Sequence, residues 1–102
     1  MNKRVYISGQ ITGIEVEARE LFSNAGTYLM CKGFDVVNPM ELTHTNLDCW
    51  NTCMAIDIKA MMDCSIVYML NNWTNSKGAE IERDLAIALG FEVIYQDAAD
   101  DS

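Results

Sequence analysis

Three groups of residues have types and spacings suited to chemistry. The first is Glu82, within WTNSKGAEIERDLAIALG at residues 73–90, where a polar loop runs into an amphipathic helix. With Ser76 as N-cap and about 100° per residue, Ile81, Leu85, Ala88 and Leu89 form an apolar arc with Glu80, Arg83 and Asp84 opposite. Glu82 falls inside that arc, between Leu89 and Ala86. An unpaired buried carboxylate is costly, so Glu82 must border a cleft, find a partner, or hold its proton to a higher pH. That is the setting of a chemically useful carboxylate; the competing reading is a structural one at the rim of the arc, accepting backbone N–H groups.

The second group is the loop GQITG, bracketed by Gly9 and Gly13. Glycines there permit close backbone approach to a ligand, and a helix start can hold a small anion. The loop has neither the Gly-Lys-Ser/Thr of a P-loop nor the dinucleotide G-x-G-x-x-G spacing. The third group is His44 with Cys49 and Cys53, three conceivable zinc ligands, the two cysteines on one helical face. Their spacing matches no familiar zinc module and no fourth ligand follows. Core packing explains Cys31, Cys49, Cys53 and Cys64 better, as small apolar thiols of a reduced chain. The sequence calls for no metal and no cofactor.

The elements that must position these groups alternate regularly. A β-branched and aromatic run, Arg4 to Ser8, reads as a buried strand. A helix follows from about Ile14 to Lys32, with Ala18, Leu21, Phe22, Ala25, Tyr28 and Leu29 at three- and four-residue spacings and Gly33 as its stop. Residues 34–38 form a second strand ended by Pro39, and Met40 to Asp48 an irregular loop. Trp50, Met54, Ile58 and Met61 mark a second helix over 49–62. A third strand covers Ser65 to Leu70, a polar loop 71–76, a third helix 77–89 with Gly90 as its stop, and a fourth strand Phe91 to Tyr95. Strands alternating with helices predict a three-layer α/β domain: a parallel sheet of about four strands with right-handed crossovers and helices on both faces.

Size and charge narrow the possibilities. The chain has 102 residues, half of them apolar, enough for one core and one domain over 1–96. Residues 97–102, DAADDS, read as a disordered acidic tail. No apolar run approaches the roughly 20 residues of a membrane span, and no signal-peptide pattern opens the chain. A cytoplasmic protein without a membrane partner is expected. Fifteen acidic against seven basic residues give a net charge of -8, which argues against a nucleic-acid polymer as partner.

In a parallel sheet, ligands bind beyond the carboxyl ends of the strands. Here those ends are Ser8-Gly9, Asn38-Pro39 and Leu70 to Trp73, with the start of the third helix on the same rim. Tyr6, Trp50 and Trp73 could offer ring faces to a flat heteroaromatic ligand. Trp50 reads better as core. Trp73, among Asn71, Asn72, Thr74 and Asn75, is expected at a ligand site or an interface.

Three motifs carry a family resemblance: YISGQITG at 6–13, VVNPMEL at 36–42 and CSIVYMLNNWTNSKGAEIERDLAIALG at 64–90. In this order and spacing they resemble the small bacterial and phage domains related to nucleoside 2-deoxyribosyltransferases. The resemblance implies a flavodoxin-like α/β fold, a nucleoside or nucleotide site at the strand ends, and cleavage or transfer at an N-glycosidic bond. It places the nucleophilic glutamate on Glu82, within the Gly-x-x-x-Glu that begins at Gly78, and the first-strand aromatic on Tyr6. On the same footing, Ser8 and the backbone from Gly9 to Gly13 would hold a 5′-phosphate, and Asn38, Asn71 and Ser76 sugar hydroxyls or base edges.

The chain also departs from that pattern. Ser65 stands where the transferases carry an aspartate at the start of the third strand, with Asp63 two positions earlier. Ser76 replaces a second acidic residue, and Gln10 the proline usual after Ser-Gly. No group legible in the sequence is left to protonate a departing base. Two function classes follow: a nucleoside or nucleotide N-glycosidic transferase or hydrolase, and a non-catalytic nucleotide-binding module of the same fold. A homo-oligomer, a dimer first, is expected from the thin core, from exposed Ile87, and from Met61, Met62 and Trp50, which one helix cannot all turn inward.

Overall fold

The computed structural model describes residues 3–42, 44 and 49–97. The loop expected over Met40 to Asp48 lies largely outside the described residues, as does the acidic tail beyond Asp97. The elements in chain order are β1 (Arg4–Ser8), α1 (Glu15–Cys31), β2 (Asp35–Val37), α2 (Trp50–Met61), β3 (Ile66–Met69), α3 (Lys77–Ala88) and β4 (Glu92–Tyr95). Two single 3-10 turns, Pro39–Glu41 and Trp73–Asn75, stand within stretches read as irregular. Each is held by backbone N–H groups reaching back three residues, a pattern with no hydrophobic period to betray it.

All pairings are parallel and the strand order is β2-β1-β3-β4. From β1 the chain moves to one side to reach β2, then back across β1 to reach β3 and β4. Because parallel crossovers keep one hand, that reversal sends α1 to one face of the sheet and α2 and α3 to the other. The core divides accordingly. Val5, Ile7, Ile66, Tyr68 and Leu70 pack on Ala18, Phe22, Ala25 and Leu29 of α1. Tyr6, Val67 and Met69 pack on Met61, Cys64, Ala79 and Ala86. β1 and β3, central in the sheet, are buried on both faces and therefore read as continuous apolar runs.

The helix boundaries follow local chemistry. Ser76 caps α3, its hydroxyl accepting from the Ala79 N–H at 3.1 Å. Gly33 (φ 92°) and Gly90 (φ 80°) end α1 and α3 in the left-handed region that disfavours a side chain. The faces differ from the sequence reading in several places. On α3 the buried line is Ala79, Glu82 and Ala86, whereas Ile81 and Leu89 are exposed, Leu85 is half-buried and Ala88 is exposed. Small alanines let the helix lie close on the sheet, so Glu82 sits at the centre of the inward face and the larger aliphatics flank it. Arg83, placed outward by the wheel, is half-buried along β4. On α1 Leu21 is exposed. On α2 Asp57 and Met61 are buried, while Trp50, read as core, is 43% exposed. Among the described residues no helix is long and apolar enough to cross a membrane.

Candidate active site

Glu82 projects from the second turn of α3 under the carboxyl end of β1. Tyr6 and Ser8 alternate with Val5 and Ile7, so both face α3 rather than α1. The Tyr6 hydroxyl donates to Glu82 Oε2 at 2.8 Å and the Ser8 hydroxyl to Oε1 at 2.7 Å. All three residues are 5% exposed or less. Burial pushes the Glu82 carboxyl up to about 7; the Ser8 and Tyr6 hydrogen bonds pull it down and the charge of Asp57 adds to the rise. Burial, followed by the Glu82 charge, also raises the Tyr6 phenol well above its ordinary value, so it remains a donor.

Asp57 brings a second carboxylate into the same space, from the inward face of α2. His44 Nε2 lies 2.8 Å from Asp57 Oδ1. Burial raises the Asp57 carboxyl, and the hydrogen bond and charge of His44 pull it back. A cavity of about 570 Å³ opens over both groups, lined by β1 and its following loop, the starts of α2 and α3, and Pro39 and Met40. That volume is ordinary for a small-molecule site. It lies where the strand order reverses between β1 and β3, the crevice such sheets use for ligands.

Close packing brings these walls together. A Cβ on Gly9 would lie 2.7 Å from Leu70 Cδ1, so only glycine lets the chain turn off β1 against β3. A Cβ on Gly78 would lie 2.9 Å from Met54 Sδ, so the glycine lets α2 meet the first turn of α3. The mouth carries Trp50, with Lys77 Nζ 5.3 Å from its ring centroid.

Of the residues singled out in the sequence, Tyr6, Ser8, Gly9, Ser76, Gly78 and Glu82 line this cavity. Gly13, Asn38, Asn71 and Trp73 do not. Asn38 instead caps the Pro39–Glu41 turn, accepting from the Met40 N–H at 2.9 Å. The Asn71 N–H donates to Gln96 Oε1. Trp73 packs on Tyr95, with ring centroids 6.0 Å apart, and carries the Arg83 guanidinium at 5.1 Å. Its loop folds back on β4, which accounts for a tryptophan among asparagines. His44, offered as a zinc ligand, serves Asp57, and among the described residues no group of three or more His, Cys, Asp or Glu is gathered for a metal. None of the four cysteines is in a disulfide, and only Cys64 is buried; Cys31 is exposed, against the core reading. The departures at β3 also lie away from the site: Ser65 is exposed at the opposite, amino end of that strand.

Sequence reasoning missed Asp57, which the structure places on the cavity as a second buried carboxyl group beside Glu82. A signal for it existed. Asp57 is three and four residues from Met54 and Met61, on the face the helical period assigns to the core, as Glu82 is on α3.

Residues 3–95 match the model of a family described as a domain of unknown function, DUF4406. No curated protein and no solved structure matches the chain. The likeness to the transferases thus rests on the motifs alone.

Proposed function

The chain belongs to the DUF4406 family, whose description carries no activity, and within it we propose an enzyme that breaks or transfers an N-glycosidic bond of a small nucleoside or nucleotide. One observation supports this above the rest: Glu82 is buried in a cavity wall, both oxygens oriented by hydroxyls, with a second buried carboxylate, Asp57, on the same cavity. Two carboxyl groups in different environments are what glycosidic chemistry uses.

Glu82, ionised above about pH 7, attacks C1′ of the sugar. The C1′–N bond breaks, its electron pair passes to the base nitrogen, and that nitrogen takes the proton of the Asp57 carboxyl. Burial of Asp57 favours the protonated form this step needs. The positive charge that develops on the sugar is stabilised by the anionic wall. An ester now joins C1′ to Glu82. Water or a second base attacks C1′, Asp57 accepts its proton, and Glu82 departs as carboxylate. Tyr6 and Ser8 hold Glu82 in one rotamer throughout.

A second reading, a non-catalytic nucleotide-binding module, draws on Ser65 and Ser76 in place of acidic residues. Incubation with a panel of nucleosides and nucleotides, followed by chromatography of free base, separates the two. Base release that vanishes in Asp57→Asn and Glu82→Gln supports the enzyme; saturable binding without release supports the module. A cytoplasmic homo-oligomer belongs to the same proposal, drawing on the exposed apolar side chains of Trp50, Met62 and Ile87. Sedimentation across a wide concentration range tests it, and a monomer mass throughout removes it.

A further inference from the structure

The loop in which a 5′-phosphate would sit is already engaged by the protein's own carboxylate. The Gly13 N–H donates to Glu15 Oε2 at 3.2 Å, the Gln10 N–H to Asn72 Oδ1 at 3.0 Å, and the Ile14 N–H to the Ile11 carbonyl at 3.1 Å. Three of the donors that make this glycine loop attractive to an anion are thus spent within the chain. Glu15 itself lines the cavity, together with Asp57 and Glu82. All seven Lys and Arg residues are among those described, and none lines it. Lys77 is drawn over the Trp50 ring, and Arg83 is committed to Tyr95, Asp84 and Trp73. The single imidazole of the wall, His44, is held by Asp57.

Resting on the N-glycosidic reading above, we propose that the site selects the uncharged nucleoside and rejects its 5′-phosphate, with Glu15 as the specificity-determining residue. A phosphate is an acceptor carrying between one and two negative charges; in this cavity it meets the carboxylates of Glu15 and Glu82, the carboxyl of Asp57, and no lysine or arginine in the lining. A 5′-hydroxyl is also a donor, and a carboxylate at the mouth of the loop is an acceptor for it. Glu15 recognises the hydroxyl through the same oxygens that repel the phosphate. Discrimination of this kind is large because the wrong ligand both loses a hydrogen bond and adds a like charge.

The test pairs one nucleoside with its own 5′-monophosphate and compares base release and binding in the wild type, Glu15→Gln and Glu15→Lys. Glu15 is exposed, so the wild type is expected to favour the nucleoside by about five-fold or more, as like charges about 4 Å apart in a solvated setting imply. Glu15→Gln narrows the ratio and Glu15→Lys narrows it further or inverts it. A wild type that takes the monophosphate as well as the nucleoside, or a ratio unmoved by Glu15→Lys, overturns the proposal. A second arm titrates inorganic phosphate while following the Gly13 amide by NMR. A shift in the Glu15 variants that the wild type lacks supports exclusion by Glu15, and its absence in all three proteins overturns it. Failure of every nucleoside and monophosphate to bind removes the N-glycosidic reading, and the phosphate arm still decides the role of Glu15.

Discussion

β1 presents two chemistries on its two faces. Val5 and Ile7 enter a layer with α1 in which every buried side chain is apolar or aromatic. Tyr6 and Ser8, one residue out of phase, enter the layer of α2 and α3, which holds the buried polar and charged residues of the described chain: Ser8, Asp57 and Glu82. One strand thus serves as scaffold on one side and as part of a site on the other. The difference teaches where stability and function reside. The α1 layer gains from burial with no charge to desolvate, whereas the opposite layer accepts buried carboxylates, an arrangement that the proposed chemistry would need.

The sharpest way to break this comparison is Glu82→Gln. Base release is expected to fall by about 10⁴-fold or more, as for other lost nucleophiles, while circular dichroism and the denaturation midpoint at neutral pH hold or improve. Equal turnover would remove the nucleophile. On the other face, Leu29→Ala is expected to cost about 2–5 kcal/mol of stability in urea titrations. Leu29 is buried in the α1 layer and does not line the cavity, so turnover per folded molecule should not change. A variant that lost activity but kept its stability would reverse the roles of the two layers.

Proton linkage sharpens the contrast. The Glu82 carboxyl is raised from 4.5 to about 7 in the folded protein, so the folded state binds the proton more tightly than the unfolded one. Stability from this group is complete below about pH 4.5 and is lost as pH rises through about 7, a fall of about 3 kcal/mol. Asp57, also raised, acts with the same sign. Denaturant titrations from pH 4.5 to 8 should show that decline in the wild type and a much flatter profile in Glu82→Gln. A wild-type profile rising over the same interval would contradict the burial of Glu82. The smallest effect belongs to Tyr6→Phe, which removes the hydrogen bond to Oε2 at a net cost of about 1–2 kcal/mol. Because that bond holds the carboxyl down, its loss should move the rising limb of the pH–rate profile to higher pH; an unmoved limb would show that Tyr6 does not set the ionisation of Glu82.

The fold was legible because its signals are local. Period-two and period-3.6 runs, Ser76 as a cap, and Gly33 and Gly90 as stops place every strand and helix within a residue or two of its observed ends. Glu82 was legible as a charge in an apolar arc, although the arc itself was turned by small residues: Ala79 and Ala86 make the contact because they allow close approach. Asp57 escaped for the reason Glu82 was found. On α2 the eye follows Trp50, Met54 and Met61, and tertiary packing leaves the large Trp50 at the mouth of the cavity and draws the small carboxylate in. The hydroxyl pair on Glu82 spans more than 70 residues of sequence, a distance at which no spacing rule operates. Trp73 shows the converse: a polar neighbourhood in sequence became an aromatic contact with β4 once the chain folded back.

The placement of the two tryptophans makes the molecule optically asymmetric. Trp73 is clamped between Tyr95 and the Arg83 guanidinium, away from the cavity, so its emission should be a constant background. Trp50 stands at the cavity mouth with the Lys77 ammonium over its ring, and a flat base entering the cavity would compete for that face. In Trp73→Phe the remaining emission comes from Trp50 alone. Occupancy could then be followed by intensity or anisotropy, without a label and before any bond is broken.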